Sequence, residues 1–175
     1  LKIARDTVSG INNNSVAPTN KCSLIARMNK IETPVKDLFV IEPQVFGDER
    51  GFFYEFYNAD KFEALGINVS MKQGNYSRSA KGVLRGIHFQ MPPKPMAKLV
   101  RCTRGRLWDV AIDLRKDSPT FKQWFGVELS DENKKMLYVP EGFGHGFYAL
   151  EDCDLAYLTS NTYDGELDAN IKWDD

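Results

Sequence analysis

Residues 81–98, KGVLRGIHFQMPPKPMAK, form the segment whose side chains are best suited to chemistry. The guanidinium of Arg85, the imidazole of His88 and the ammonium of Lys98 lie here among apolar residues. Imidazole titrates near neutral pH and can exchange a proton, and the two cations favour an anionic ligand. The segment therefore indicates a site for an anionic substrate. The alternative for His88 is a core histidine that is satisfied by one hydrogen bond.

The second of the two histidines, His145, lies in the segment 140–147, PEGFGHGF. Three glycines around it allow either close approach of the backbone to a ligand or a tight turn whose histidine binds a carbonyl. Two residues after His88 stands Gln90, which is a poor metal ligand. Two histidines without a supporting third ligand argue against a metal site.

Tyr157 is a further candidate, because it lies in an alternating strand-like segment near the C-terminus. Tyrosines in strands commonly pack and bind a partner with the hydroxyl at the rim. A phenol held beside a carbanion or enolate can instead return a proton to carbon, which makes Tyr157 a candidate general acid. Four other polar residues are weak candidates individually, because loop or edge positions explain them equally well: Arg50, Glu55, Gln73 and Asn75.

The length, net charge and cysteine content of the chain limit the class of protein. A chain of 175 residues fits one domain with a sizeable core. Its net charge of -1, without a basic tail or stripe, gives no indication of a nucleic-acid or membrane partner. No apolar run approaches the roughly 20 residues of a membrane span. Three widely spaced cysteines argue against a disulfide framework, so a reducing, cytoplasmic location is expected.

The elements that must position these residues are predominantly strands. Short segments of period two recur at intervals without interleaved helices, which predicts an all-β antiparallel sandwich or barrel. Residues 107–114 place Trp108 and Ile112 on one face and Asp109 and Asp113 on the other. One short helix is predicted between Asn58 as its cap and Gly66 as its end.

The N-terminal residues differ from the rest of the chain. Residues 9–20, SGINNNSVAPTN, are polar and rich in turn formers, and the chain does not begin with methionine. We expect residues 1–30 to be a disordered or non-native extension, and residues 31–175 to be the folded domain.

Taken together, the segments resemble the dTDP-4-dehydrorhamnose 3,5-epimerase family of sugar-nucleotide epimerases. The likeness runs in order from about residue 31 to the end of the chain. It is carried by 45–53 (VFGDERGFF), 75–79 (NYSRS), 82–90 (GVLRGIHFQ), 98–101 (KLVR), 108–115 (WDVAIDLR), 117–121 (DSPTF), 140–147 (PEGFGHGF) and 171–174 (IKWD).

The resemblance implies a cupin-type jelly-roll β-barrel with one or two short helices, which acts as a homodimer without metal or organic cofactor. It implies a dTDP-4-keto-6-deoxyhexose substrate that is inverted at C3 and C5. By likeness, His88 is the base, Tyr157 the acid and Lys98 the residue that stabilises the oxyanion at O4. Substrate contacts are implied for Arg50, Glu55, Gln73, Asn75, Arg85, His145, Tyr163, which would stack on the base, and Asp168, with Arg50 and Glu55 serving the partner's pocket.

One departure and three alternatives accompany this interpretation. The family continues beyond the segment at 171–174 and carries there an aspartate that hydrogen-bonds the catalytic histidine, so we expect either a truncated domain or a replacement carboxylate. The alternatives are a single-carbon epimerase or ketoisomerase of the same fold, a non-catalytic sugar-binding cupin, and a metal-dependent cupin enzyme. The sugar-binding cupin would not require His88 together with Tyr157.

Overall fold

The computed structural model describes residues 27–174, so the prediction for residues 1–26 lies outside the described residues. Strand β1 (Met28–Glu32) begins three residues before the predicted domain boundary. It does so because its whole length pairs with β2 (Phe39–Pro43), in register from Met28 opposite Pro43 to Glu32 opposite Phe39. The folded part of the chain therefore includes residues 28–30.

Two antiparallel sheets form the body of the described chain. The larger sheet has six strands, in the spatial order β1, β2, β10 (Met136–Val139), β7 (Lys98–Arg104), β12 (Cys153–Thr159) and β5 (Gln73–Ser79). The second sheet has five, in the order β13 (Asp168–Asn170), β6 (Leu84–Gln90), β11 (Phe143–Ala149), β8 (Arg106–Asp113) and β9 (Trp124–Ser130). A separate hairpin joins β3 (Val45–Asp48) to β4 (Gly51–Tyr54). This arrangement confirms the predicted all-β jelly roll.

The main core lies between the two large sheets. Fully buried Val100 and Leu137 from the six-stranded sheet share one cluster with Leu107, Ala111 and Leu129 from the five-stranded sheet. Such burial of apolar surface from both inner faces is the main stabilising contribution in a two-sheet fold.

The single helix of the described chain, α1 (Ala59–Ala64), confirms the helix prediction. The side chain of Asn58 caps it by accepting a hydrogen bond from the Lys61 backbone N–H at 3.3 Å. Gly66 has a φ of 81°, the left-handed conformation in which glycine commonly follows a helix end. Phe62 is buried in a second cluster with Leu99 and Met136, so the helix packs on the six-stranded sheet.

Strand β8 alternates as predicted, but its aspartate-bearing face is the buried one. Asp109 and Asp113 have no exposed surface, whereas Trp108 is 41% exposed. Small and aliphatic neighbours on the inner face make the core there, and the large apolar side chains lie on the outer face. Strand β8 therefore carries two buried carboxylates, Asp109 and Asp113.

Candidate active site

A cavity of about 400 Å³ opens between the two sheets and collects most of the predicted site residues. Its lining includes nine of them: Gln73, Asn75, Arg85, His88, Lys98, His145, Tyr157, Tyr163 and Asp168. The remaining lining comes from Ser77, Phe89, Gln90, Met96, Gly146, Phe147, Leu155 and Thr159. Residues predicted from five separate segments of the sequence thus line one cavity.

The six-stranded sheet supplies Lys98 and Tyr157 from neighbouring strands. Thr159 lies opposite Lys98 and Tyr157 opposite Val100, so the two functional side chains are diagonal neighbours on the inner face. Burial lowers the pKa of Lys98, an effect that the charges of Asp109 and Asp168 oppose. Burial raises the pKa of Tyr157, and Arg85 opposes that shift. The cavity therefore holds a phenol that stays protonated at neutral pH beside a lysine whose charged form is disfavoured by burial.

The five-stranded sheet supplies Arg85 and His88, and a β-bulge explains how both line the cavity. Residues three apart in a regular strand point to opposite faces. Here His145 lies opposite His88 and Phe147 opposite Arg85, so the register shifts by one residue between the two pairs. The close approach of the strands at the bulge requires Gly86, where an added Cβ would lie 2.5 Å from the Cα of Gly146.

The buried carboxylate of Asp109 fixes the orientation of the His145 ring. Its Nε2 lies 2.9 Å from Oδ1 of Asp109, and both side chains are buried. An ionised carboxylate only accepts hydrogen bonds, so a pair with ionised Asp109 would require the hydrogen on Nε2. The imidazole therefore meets the cavity in a fixed orientation.

The loop that carries Tyr163 is anchored to the barrel by two glutamines. Gln90 donates to the carbonyls of Lys94 and Thr162 and accepts from the N–H of Asp164 at 2.9 Å. Gln73 accepts from the N–H of Tyr163 at 3.0 Å. The Tyr163 ring itself is 61% exposed at the cavity, which leaves a face free for stacking.

Arg50 and Glu55 do not line this cavity in the same chain. Arg50 lies on the β3–β4 hairpin, is largely exposed, and pairs with Asp48. Glu55 accepts from Lys61 at 2.5 Å and lies in the segment between the hairpin and α1. Their predicted role in a partner's pocket remains a prediction.

Two functional positions escaped the sequence prediction of the site. Asp109 was assigned to a strand face without a role, although an aspartate in an apolar run is itself a signal. The sequence indicates for Gln90 only that it is a poor metal ligand, whereas its contacts with the Tyr163 loop join residues 72 and 74 positions apart. Neither contact can be predicted until the register between strands that are distant in the sequence is known.

Three features are absent from residues 27–174. These residues contain no group of three or more histidine, cysteine, aspartate and glutamate side chains placed to hold a metal ion. Over the same part of the chain, no helix has the length and apolar character needed to cross a membrane. Among the described residues, no side-chain carboxylate hydrogen-bonds to His88.

The fold and the cavity define a cupin-type jelly roll in which two imidazoles, a phenol and two basic side chains line one pocket. The model of the family described as dTDP-4-dehydrorhamnose 3,5-epimerase matches residues 32–175. The chain therefore belongs to the dTDP-4-dehydrorhamnose 3,5-epimerase family of isomerases.

Individual relatives agree with this assignment. A dTDP-4-dehydrorhamnose 3,5-epimerase of Shigella flexneri is 51% identical over 150 residues, which are 85% of this chain and 83% of the relative. A dTDP-4-dehydrorhamnose 3-epimerase of Streptomyces niveus is 44% identical over 74% of this chain and 64% of its own length. The crystal structure of a dTDP-6-deoxy-D-glucose-3,5-epimerase of Legionella pneumophila, in complex with dTDP-4-keto-L-rhamnose, superimposes with a TM-score of 0.81. It is 48% identical, over 84% of this chain and 79% of that one.

Proposed function

We propose that this protein inverts C3 and C5 of dTDP-4-dehydro-6-deoxy-D-glucose to give dTDP-4-dehydro-L-rhamnose. The observation that carries the proposal is that His88, Lys98 and Tyr157 line one cavity between the sheets. Relatives at about half identity named as 3,5-epimerases support the choice of reaction. A single-carbon epimerase is the second candidate, because a 3-epimerase also stands among the relatives.

The proposed chemistry begins with deprotonation beside a ketone. The C4 carbonyl of the substrate acidifies the hydrogens on C3 and C5, and His88 removes one of them as general base. The electrons move onto O4, where the ammonium of Lys98 stabilises the enolate together with the positive field of Arg85. Partial desolvation of Lys98 strengthens this attraction, because the cavity has a lower effective dielectric constant than water.

Inversion requires that a proton returns to the opposite face of the same carbon. Tyr157 is proposed to deliver it, and the burial that raises the pKa of this tyrosine supports the assignment because it keeps the phenol protonated. His88 comes from the five-stranded sheet and Tyr157 from the six-stranded sheet. Base and acid thus approach the sugar from opposite walls, as inversion demands.

The rest of the pocket is proposed to bind the nucleotide and the sugar. The amides of Gln73 and Asn75 hydrogen-bond each other at 2.9 Å and present polar edges to the cavity. The exposed ring of Tyr163 is proposed to stack on the thymine. His145 and Asp168 complete the polar lining and are proposed to contact the substrate.

A homodimer with a shared nucleotide site is part of the proposal. The β3–β4 hairpin belongs to neither large sheet, and it exposes 60% of Phe52 and 67% of Phe53. Exposed aromatic residues beside a charged arginine are typical of protein interfaces. Arg50 and Glu55, which lie on or beside this hairpin, are proposed to enter the partner's pocket.

The proposed reaction uses neither an organic cofactor nor a metal, since the proton transfers and the enolate need only side chains of this chain. The described cysteines, Cys102 and Cys153, are free and buried, and burial raises the pKa of the Cys102 thiol to about 12. Free thiols support the proposed location in a reducing compartment such as the cytoplasm.

Deuterium exchange tests the reaction directly. The protein is incubated with dTDP-4-dehydro-6-deoxyglucose in heavy water, and incorporation at C3 and C5 is followed separately by NMR. We expect incorporation at both carbons, and a decrease on the order of 10²- to 10⁴-fold in His88→Ala and in Tyr157→Phe, because each removes a proton-transfer group. Tyr148→Phe is the matched control, since Tyr148 lies outside the cavity and should exchange at the wild-type rate.

The alternatives give different outcomes in the same experiment. Exchange at C3 alone would identify a single-carbon epimerase. Binding of dTDP without exchange would identify a sugar-binding cupin. Activity that disappears on chelation and returns with a stoichiometric metal would identify a metal-dependent enzyme.

A further inference from the structure

Asp109 has an arrangement that packing does not explain. Its side chain has no exposed surface, and Oδ1 pairs with Nε2 of His145 at 2.9 Å. Its second oxygen, Oδ2, is buried and has no hydrogen-bond partner among residues 27–174. A buried acceptor without a partner is destabilising, more so when it carries charge. The fold therefore keeps this carboxylate at a cost, which points to a role in the pocket.

The charges around Asp109 suggest what that role is. Ionisable groups on the strands around it come mostly from the cavity wall: Arg85 and His88 on β6, Lys98 on β7, His145 on β11, Tyr157 on β12 and Asp168 on β13. Four of these groups, Arg85, His88, Lys98 and His145, are cationic when protonated, and only Asp168 adds a negative charge. Asp109 is the fully buried anion of this cluster, and its charge acts on Lys98.

We propose that Asp109 is a positioning residue of the epimerase site, which fixes His145 with its hydrogen on Nε2 and balances the charge of the Lys98 ammonium. This inference rests on the proposed function, because Lys98 and His145 act on the substrate in that reaction. Held through Nε2, the imidazole of His145 has only Nδ1 left to meet the sugar. Balanced by Asp109, Lys98 remains an ammonium at the oxygen where the enolate charge develops.

An amide cannot perform both tasks. After Asp109→Asn, the side chain has one acceptor oxygen and one NH₂ donor. If the oxygen faces His145, the tautomer is kept but the negative charge beside Lys98 is lost. If the NH₂ faces His145, the imidazole must accept at Nε2 and its hydrogen moves to Nδ1. In both orientations the charge is gone.

The first test reads the tautomer of His145 in the wild-type protein by ¹⁵N NMR of the imidazole. The chain has two histidines, so His88→Asn leaves the signals of His145 alone and assigns them. We expect Nε2 to stay protonated across the pH range and Nδ1 to be the nitrogen that gains or loses the hydrogen. A tautomer with its hydrogen on Nδ1, or an even mixture, would overturn the proposal. This readout does not depend on activity.

The second test is the pH profile of the epimerisation for Asp109→Asn. We expect kcat to fall on the order of 10²-fold, the upper range for loss of a partner that orients a functional histidine, with a smaller change in KM. The alkaline limb should move to lower pH. Burial lowers the pKa of Lys98 and Asp109 opposes that shift, so without Asp109 the ammonium is lost at lower pH.

Asp113→Asn is the matched control, because Asp113 is an equally buried aspartate on β8 that binds Arg115, Ser118 and Thr120 and not His145. Its alkaline limb should coincide with that of the wild type. An active wild type with an unchanged rate and profile in Asp109→Asn would overturn this inference alone. A wild type that exchanges neither C3 nor C5 would overturn the proposed function and the catalytic part of this inference, while the tautomer measurement would still report on the Asp109–His145 pair.

Discussion

Strand β8 carries two aspartates with the same burial and opposite surroundings. Asp113 is surrounded by donors: Arg115 reaches both of its oxygens at 2.8 and 2.9 Å, and the hydroxyls of Ser118 and Thr120 add 2.5 and 2.8 Å contacts. Asp109, four residues earlier, binds His145 through one oxygen, and its other oxygen has no partner within residues 27–174. Both are fully buried. The partners of Asp113 satisfy its buried carboxylate, whereas Asp109 keeps a buried oxygen that its proposed role in the pocket would explain.

The electrostatic consequence differs in the same way. Burial alone would raise the pKa of Asp113, but the hydrogen bonds from Arg115, Ser118 and Thr120 outweigh burial and hold the pKa well below its usual range. Arg115 also binds Asp37 at 2.7 Å, which ties the loop between β1 and β2 to the end of β8. This end of the strand is a structural clasp, which we define as Asp37, Asp113, Arg115, Ser118 and Thr120.

The largest expected effect on stability comes from neutralising the clasp. Asp113→Asn should lower the free energy of unfolding by about 3 kcal/mol, because Arg115 loses its buried counter-charge. Asp109→Asn should change it by less than about 1 kcal/mol, since it removes a half-satisfied charge. Denaturant unfolding of both variants measures the difference. Equal losses in the two variants would refute the distinction between the two ends of the strand.

Acid should act on the clasp in the same direction. The pKa of Asp113 is lower in the folded protein than the value of about 3.9 in an unfolded chain, so its stabilising contribution is complete above that pH. The contribution is lost as pH falls through the folded-state pKa, because the unfolded state then binds the proton more readily. Unfolding measured between pH 6 and pH 2 should therefore show a shallower loss of stability in Asp113→Asn than in the wild type. Parallel curves would contradict this assignment.

The smallest effect expected is that of Ser118→Ala. This variant removes the 2.5 Å hydrogen bond to Asp113 Oδ2 and should cost about 1 kcal/mol. Combining it with Asp113→Asn forms a double-mutant cycle, in which the serine change should cost less because its charged acceptor is gone. Additive losses would show that the hydroxyl and the carboxylate are not coupled.

Much of the fold was predictable, because it follows from local patterns. The helix between Asn58 and Gly66 needed only a capping residue and a glycine, and the period-two segments became strands. The alternating pattern of β8 also predicted correctly that Trp108 and Asp109 lie on opposite faces of the strand. Which face would be buried was not predictable, because that depends on the strands packed opposite β8 and reverses the usual placement of tryptophan and aspartate.

The residues that line the site were easier to predict from the sequence than their arrangement in space. His88, Lys98 and Tyr157 carry recognisable side chains in recognisable motifs, and they line one cavity. The shared orientation of Arg85 and His88 depends on a bulge that arises only when β6 meets β11. The pairing of Asp109 with His145 joins residues 36 positions apart, and local sequence contains no register between strands.

The anchoring of the Tyr163 loop has a consequence for the free energy of ligand binding. Gln90 and Gln73 fix the backbone from Thr162 to Asp164 before any ligand arrives. Conformational entropy that a mobile loop would lose on association is therefore already lost during folding. A nucleotide that stacks on Tyr163, as proposed, would meet a preorganised surface, and more of the contact energy would appear as affinity.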